Sequence, residues 1–146
     1  MKYPAAGFTL LEVLLSVVII SVLAGLSAPV YESFVRRNDL GLATQNIAFM
    51  LRRAQTYARG VNDDSAWGVK VQSSTVTLFQ GSSFATRTPS FDETFAVPGS
   101  ISVGGLSEVY FSKLDAAPSV AGDITLTSTT NDATTITINS KGMVDY

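Results

Sequence analysis

The sequence of 146 residues contains no cysteine and no histidine. Without cysteine the chain can form neither a disulfide nor a thiolate zinc site. Without histidine it lacks the commonest general base, the Ser-His and Cys-His nucleophile pairs, and the commonest metal ligand. Carboxylates and lysines could still build an active site, but the sequence shows no recognisable catalytic set. We therefore expect no enzyme, no bound metal and no cofactor.

Charge is also sparse. Charged residues make up 15% of the chain and the formal net charge is −2, so the whole molecule has no strong attraction to polyanions. Hydrophobic residues reach 46%, a share raised by the front of the chain. A chain of this length can form one modest domain and no more.

A long apolar run covers residues 8–30, and Glu12 is its only charged residue. A helix needs about 20 apolar residues to cross a bilayer core, so this run predicts a transmembrane segment. An ordinary secretory signal has a shorter apolar core followed by its cleavage site, whereas here the small residues precede the run and end at Gly7. The segment is therefore either a simple membrane anchor or a helix exposed by removal of a leader, residues 1–7, which would make Phe8 the new N-terminus.

The stretch "GFTLLEVLLSVVIISVLA" resembles the class III signal of type IV pilins and pseudopilins. The residues that match this motif in place are Gly7, Phe8, Thr9, Leu10, Leu11 and Glu12. The resemblance implies that a prepilin peptidase cuts between Gly7 and Phe8 and then methylates the Phe8 nitrogen. It also implies that Glu12 helps to assemble subunits into a filament.

The position of Glu12 allows two interpretations. An acid inside a membrane segment is costly and marks a functional site by default, and cleavage would create a mostly protonated amine about one helical turn away. Alternatively, Glu12 lies in the first helical turn, where the helix dipole favours a carboxylate close to interface water. The surrounding motif favours the role in assembly.

Beyond residue 31 the pattern becomes amphipathic. Apolar residues recur at steps of three and four, which predicts one helix from Phe8 to about Arg59, with its second half, residues 31–60, packed on a head. Pro29 cannot donate a hydrogen bond to the carbonyl of Gly25, so we expect a kink there. The predicted stripe comprises Leu40, Ala43, Ile47, Met50, Leu51, Ala54, Tyr57 and Ala58.

Residues 61–146 carry about eight short alternating segments that predict strands. "WGVKVQ" with "TVTLFQG", "TFAV" with "ISV" across Pro98-Gly99, and "GDITLTS" with "TTITINS" each predict a hairpin. "EVYFS" predicts a further strand, and "GMVDY" a last one after a turn at Lys141-Gly142. The fold class is thus α+β, a long helix packed on an antiparallel β-rich head, and the head resembles that of the FimT-like and H-type pseudopilins.

The resemblance implies a structural subunit, a minor pilin or pseudopilin of a type IV pilus or type II secretion pseudopilus. Its partners would be other pilin subunits, prepilin peptidase, an inner-membrane assembly platform, and lipid before assembly. The head would lie outside the cytoplasm, and the subunit would later enter the filament. The alternative is an adhesin or DNA-uptake pilin. The head contains four basic and nine acidic residues, so DNA is an unfavourable ligand.

Two features of the head have plain structural interpretations. The acid-rich turns "NDDS" and "TTND" could supply oxygen ligands for calcium, but neither has the spacing of a recognised loop, and turns favour Asn and Asp without a metal. The aromatic residues Trp67, Phe79, Phe91 and Phe95 are expected to lie in the core rather than to form a ligand cage.

Overall fold

The computed structural model describes residues 7–146, without the side chains of residues 26–30, 32–33 and 36. Of the predicted leader, only Gly7 therefore lies within the described residues. The chain divides into two units, of which the first ends at Val35 and the second runs from Arg36 to Tyr146. One helix, α1 (Leu10–Arg59), contributes residues to both units.

The amphipathic stripe of α1 forms one wall of the core of the second unit. Seven of the eight predicted stripe residues are buried, and Tyr57 is partly buried. Two further residues of this face, Thr44 and Ala48, are buried as well. The Thr44 hydroxyl donates to the Leu40 carbonyl at 2.8 Å, so the polar group is satisfied within its own helix. Apolar periodicity does not predict this burial, because threonine counts as polar although its methyl group can pack in a core.

The helix ends where the sequence predicts. The Gly60 N–H still donates to the Thr56 carbonyl at 2.9 Å, and a loop follows. Leu114, from a distant loop of the head, donates its N–H to the Ala58 carbonyl at 3.1 Å. That bond satisfies one of the carbonyls that every helix leaves unpaired at its C-terminus.

Eight strands follow the helix, as expected from the alternating pattern. They form two four-stranded antiparallel sheets, ordered β3-β2-β1-β5 and β4-β6-β7-β8. Three short 3-10 helices cover Asn62–Asp64, Phe84–Thr86 and Pro89–Phe91. The strands are β1 (Trp67–Val71), β2 (Thr75–Gln80), β3 (Glu93–Ala96), β4 (Ile101–Gly105), β5 (Glu108–Phe111), β6 (Gly122–Ser128), β7 (Ala133–Ile138) and β8 (Val144–Asp145).

The predicted hairpins β1–β2 and β6–β7 are confirmed, and β8 pairs with β7 as the terminal turn predicts. The predicted hairpin across Pro98-Gly99 is wrong, because β3 pairs with β2 whereas β4 pairs with β6 in the other sheet. Val97 still donates to the Ser74 carbonyl at 2.8 Å, but Ser100 accepts from Thr129 at 3.1 Å. The connection therefore crosses from one sheet to the other. Strand alternation and turn residues do not distinguish such a crossover from a hairpin.

The α+β prediction is confirmed: the helix and both sheets enclose one apolar core. Trp67 and Phe79 are buried in the head, at 4% and 0% exposure. The core prediction is wrong for Phe91 and Phe95, which are 40% and 41% exposed. Phe95 lies on an edge strand and Phe91 on a short 3-10 helix, where one side of each residue faces solvent.

Candidate functional site

The N-terminus of α1 is closed by a side-chain cap. The Glu12 N–H lies 3.2 Å from the Thr9 hydroxyl oxygen and 3.1 Å from the Thr9 carbonyl oxygen. Thr9 is thus the N-cap and Glu12 the third helical residue, the arrangement of the first half of a capping box. The sequence signal for this cap is Thr-x-x-Glu in front of an apolar run.

Glu12 is exposed and lies in the first turn of α1. A carboxylate there is stabilised by the positive end of the helix dipole and by the unpaired N–H groups of that turn. The structure thus brings Thr9 and Glu12 together and leaves Gly7 and Phe8 in front of the helix.

Gly7 has no structural need to be glycine in this fold. Among the residues that the structure describes, a Cβ added at Gly7 would meet no atom within 4 Å. Phe8 is 84% exposed, and the bond between the two residues lies before the first residue of α1. The peptide bond predicted to be cut is therefore accessible in the described part of the chain.

The apolar side chains that follow are uncovered all round the helix. Every large apolar residue from Phe8 to Leu23 is at least half exposed. The hydroxyls of Ser16 and Ser21 each donate at 2.7 Å to the carbonyl four residues earlier, so their polarity is satisfied within the helix. A contiguous apolar surface of this length marks a site of interaction with a membrane or another protein.

The described residues include no helix that is long and apolar enough to cross a membrane. The side chains of residues 26–30, the end of the predicted transmembrane segment, lie outside the described ones. Helix α1 runs through Gly25 and Pro29 without interruption, and the kink at this point stays a prediction.

Comparison with known families supports the interpretation of this segment. A model described as the prokaryotic N-terminal methylation motif matches residues 3–28, a span that includes Gly7, Phe8 and Glu12. The chain thus carries a class III signal of the type IV pilin kind, which indicates a pilin- or pseudopilin-like precursor. Such a signal implies processing by prepilin peptidase, membrane anchoring, and later assembly with other pilins. No curated protein and no solved structure matches the chain.

The head has a separate set of charged contacts. Arg53 makes a two-pronged ion pair with Glu93, at 2.5 and 2.6 Å, and donates from Nε to the Tyr57 hydroxyl at 2.7 Å. The bond to Tyr57 and the charge of Glu93 together outweigh burial and raise the pKa of Arg53. The guanidinium stays charged and fixes both partners.

Glu108 links a surface loop to the sheet. Burial alone would raise its pKa, but the Phe84 N–H at 2.8 Å and the Lys70 ammonium at 3.2 Å outweigh that effect, and the pKa of Glu108 is lowered. Lys70 and Glu108 face each other in register across β1 and β5. Arg87 pairs with Asp92 and Lys113 with Asp64, so three of the four basic residues beyond residue 60 contact a carboxylate.

The two acid-rich turns are tied into the fold by protein contacts. Asp64 accepts a hydrogen bond from the Lys113 ammonium, and Asp132 accepts one from the Thr130 hydroxyl at 3.0 Å. Among the described residues, no three potential metal-binding side chains of the His, Cys, Asp or Glu type come together.

Proposed function

We propose that this chain is a structural subunit, a minor pilin or pseudopilin of the FimT-like or H-type group, in a type IV pilus or a type II secretion pseudopilus. The observation that carries the proposal is the methylation motif at residues 3–28, which includes the capped start of α1, where every large apolar residue up to Leu23 is at least half exposed. The chain would be anchored in the inner membrane, cut and methylated by a prepilin peptidase, and moved into the filament by an assembly platform.

The exposed segment from Phe8 to Leu23 needs a cover that the described part of the chain does not supply. Lipid would cover it before assembly, and the corresponding helices of neighbouring subunits would cover it afterwards. Both environments remove apolar surface from water, which is favourable at roughly 25 cal/mol for each Å². The free energy of moving the helix from lipid into the filament is therefore close to zero. A single polar contact can then decide which of the two environments the helix occupies.

Glu12 would supply that contact. In a helix bundle without water an unpaired carboxylate is strongly unfavourable, whereas a carboxylate beside the protonated Phe8 amine of a neighbouring subunit is compensated. Apolar side chains alone would let helices slide along each other, so the pair would fix the axial register. Methylation leaves the amine able to carry its charge.

Processing tests the proposal directly. The chain would be co-expressed with a prepilin peptidase, and the intact mass of the product would be measured. We expect a chain that starts at Phe8 and carries one methyl group, and we expect Gly7→Val to block cleavage. Since a Cβ at Gly7 meets no atom of the described residues, the blocked variant should keep a folded head. An intact Met1 terminus on the chain recovered from this co-expression would refute the proposal.

A pair of variants separates the charge of Glu12 from the hydrogen bonds that its side chain can make. Glu12→Gln removes the charge and keeps a polar side chain of the same size, whereas Glu12→Ala loses both. The Thr9 cap uses the Glu12 backbone N–H, so neither substitution removes it. We expect both variants to be inserted and cut but to enter filaments poorly. Normal incorporation of Glu12→Gln together with poor incorporation of Glu12→Ala would assign the role to hydrogen bonding instead of charge.

The head weighs against a role as a DNA receptor. Lys70, Arg87 and Lys113 each contact a carboxylate, so three of its four basic residues are paired already. Phosphate neutralisation supplies most non-specific affinity for DNA. Fluorescence anisotropy with duplex DNA at physiological salt should show no appreciable binding, and micromolar binding that weakens steeply with salt would favour the DNA-uptake alternative.

A further inference from the structure

The two edge strands of the first sheet, β5 and β3, differ in whether the chain covers them. Beyond β5 the Ser119 N–H donates to the Tyr110 carbonyl at 2.8 Å, and Pro118 forms a bridge with Phe111, so this edge is covered. On the outer side of β3 no strand of the described residues pairs. An uncovered strand edge is a template for another chain, and folded proteins usually shorten, charge or cover such edges.

The hydrogen bonds of the sheet show which backbone groups of β3 are open. Val97, just beyond β3, donates its N–H to the Ser74 carbonyl at 2.8 Å, so its backbone groups point toward β2. Backbone direction alternates along a strand, so Phe95 also faces β2, whereas Thr94 and Ala96 point their N–H and C=O groups away from it. Both of these residues are exposed, and within the described part of the chain their backbone groups have no partner.

An apolar groove lies beside this open edge. Phe95 is opposite Val76 in the ladder, so its ring lies on the face of the sheet that α1 covers, and it is 41% exposed. On α1, Leu42 and Phe49 are about two helical turns apart and share one face, at 50% and 59% exposure. Leu42 and Phe95 also line a cavity of about 150 Å³ between α1 and β3. A cavity of this volume can accept a molecule of the size of benzene, so it has room for an aliphatic side chain.

The two ends of the groove differ in charge. At one end both carboxylate oxygens of Glu93 are held by Arg53, at 2.5 and 2.6 Å, so this end is neutralised. At the other end Asp39 lines the cavity together with Val97, and its carboxylate accepts from the Ser100 hydroxyl at 3.3 Å. A ligand with an apolar middle and a basic group at the Asp39 end would therefore complement the groove.

We propose that the open edge of β3 binds an extended segment of a partner polypeptide, which adds a fifth strand to the first sheet. An extended backbone presents its donors and acceptors at the spacing of Thr94 and Ala96, which is the basis of strand addition. In an antiparallel segment, one apolar residue would lie opposite Phe95, and a basic residue two positions earlier would lie opposite Val97, near Asp39.

A second copy of this chain fits the groove less well. If two β3 strands paired with Phe95 opposite Phe95, each would place Glu93 opposite Val97 of the other, and so an acid at the Asp39 end. The proposal makes no use of the methylation motif and gives the head a binding role beyond assembly through α1.

A short peptide tests the proposal on the full chain in an uncharged detergent. The probe is fluorescein-labelled Thr-Arg-Thr-Leu-Thr-Val-Thr-amide, and its fluorescence anisotropy measures binding. We expect saturable binding with a dissociation constant of about 100 μM. Bound peptide should also slow amide hydrogen exchange at Thr94 and Ala96.

Two methylated peptides form a matched pair of controls. A methyl group on the nitrogen of the threonine after leucine removes a donor that faces β3, so binding should weaken at least about tenfold. A methyl group on the leucine nitrogen, whose N–H points away from β3, should leave binding within about twofold. Replacing arginine by glutamate in the peptide should weaken binding several-fold.

Variants of the chain test the same contacts from the other side. Ala96→Pro removes an N–H that points outward, a position where an edge strand tolerates proline, and should weaken peptide binding at least about tenfold. Phe95→Thr keeps a strand-forming residue, loses the ring and should weaken binding several-fold. Met143→Thr removes an apolar side chain that is 64% exposed outside the groove and should leave binding unchanged.

Three outcomes would overturn the proposal. The first is no saturable change of anisotropy up to about 5 mM peptide, well above the expected dissociation constant. The second is equal binding of the two methylated peptides, a result that holds even if Ala96→Pro does not fold. The third is protection of Thr94 and Ala96 without peptide that rises with the concentration of the chain, which would assign the edge to a second copy. The processing and Glu12 experiments do not involve β3, so either proposal can fail without the other.

Discussion

The two ends of α1 are both rich in apolar residues and use them in opposite ways. From Phe8 to Leu23 the large apolar side chains are all exposed. From Leu40 to Ala58 most apolar side chains form a stripe that is buried in the head, and only Leu42 and Phe49 lie off it at 50% and 59% exposure. The difference lies in periodicity rather than in composition. A helix that is apolar on all sides needs an apolar environment around it, whereas a one-sided stripe can be buried by its own domain.

This contrast predicts that a truncation in the core of the head will have the largest effect on stability. Phe111 is completely buried on β5, so Phe111→Ala should lower the free energy of unfolding by about 3–5 kcal/mol. Leu23→Ala, at a residue that is 63% exposed, should change it by less than about 0.5 kcal/mol. Urea unfolding monitored by Trp67 emission would measure both. A similar loss in the two variants would mean that the exposed segment contributes to the stability of the head.

A second, smaller effect is expected where the head is packed too tightly for a side chain. A Cβ at Gly68 would lie 2.5 Å from Phe79 Cζ and 2.8 Å from the Val109 carbonyl oxygen. Gly68→Ala should therefore destabilise the head by about 1–3 kcal/mol.

Gly104→Ala is the matched control for this substitution. A Cβ at Gly104 would have its nearest atom at 4.0 Å, so the alanine variant should be neutral or slightly stabilised. Equal urea midpoints for Gly68→Ala and Gly104→Ala would contradict the packing argument.

A third effect should be confined to the start of α1. Thr9→Ala removes the hydroxyl that caps the Glu12 N–H and should weaken the first turn by about 1 kcal/mol. Amide hydrogen exchange at Glu12 and Val13, whose N–H groups bond to Thr9, should speed up accordingly, while the urea midpoint of the head stays the same.

Ser16→Ala is the control for the cap. It removes a hydroxyl that bonds only to a carbonyl already inside the helix, and such bonds add little to helix stability. Exchange in the first turn should therefore remain slow in this variant. Equally fast exchange in both variants would show that any lost hydroxyl loosens this segment and that Thr9 has no special role.

The sequence predicts local features of this fold well and long-range ones poorly. The stripe of α1, the end of the helix near Arg59 and the eight strands all follow from periodicity and turn residues. The pairing of β3 with β2 and of β4 with β6 does not, because Pro98-Gly99 is compatible with a hairpin and with a crossover between sheets.

The functional residues show the same difference between local features, which the sequence predicts, and long-range contacts, which it does not. The motif from Gly7 to Glu12 is contiguous, so the sequence contains all of it, and even the Thr9 cap was readable from Thr-x-x-Glu. The partner of Arg53 does not follow from the sequence, because Glu93 lies forty residues further along the chain. Only the tertiary fold brings the helix residue Arg53 and the β3 residue Glu93 together.

The smallest expected effect concerns the response of the head to acid. Because the pKa of Glu108 is lowered in the folded state, its ionised form stabilises the fold at a pH above its ordinary value of about 4.5, and this contribution is lost as the pH falls through the lowered value. Stability should therefore decline on acidification below about pH 4.5. The decline should be less steep in Glu108→Gln, which cannot ionise, and in Lys70→Gln, which removes the ammonium that helps to lower the pKa.

The measurement is the urea midpoint of the head between about pH 3 and pH 7, a window that brackets the ordinary glutamate pKa. Since the side chain of Glu108 is 28% exposed, solvent screens its contacts, and its contribution should be smaller than that of the Thr9 cap. The first unit serves as a control. Amide exchange at residues 10–13 should be the same in Glu108→Gln, in Lys70→Gln and in the unchanged chain. A pH profile of Glu108→Gln as steep as that of the unchanged chain would show that other carboxylates govern acid unfolding and that the link from Phe84 to β5 is electrostatically neutral.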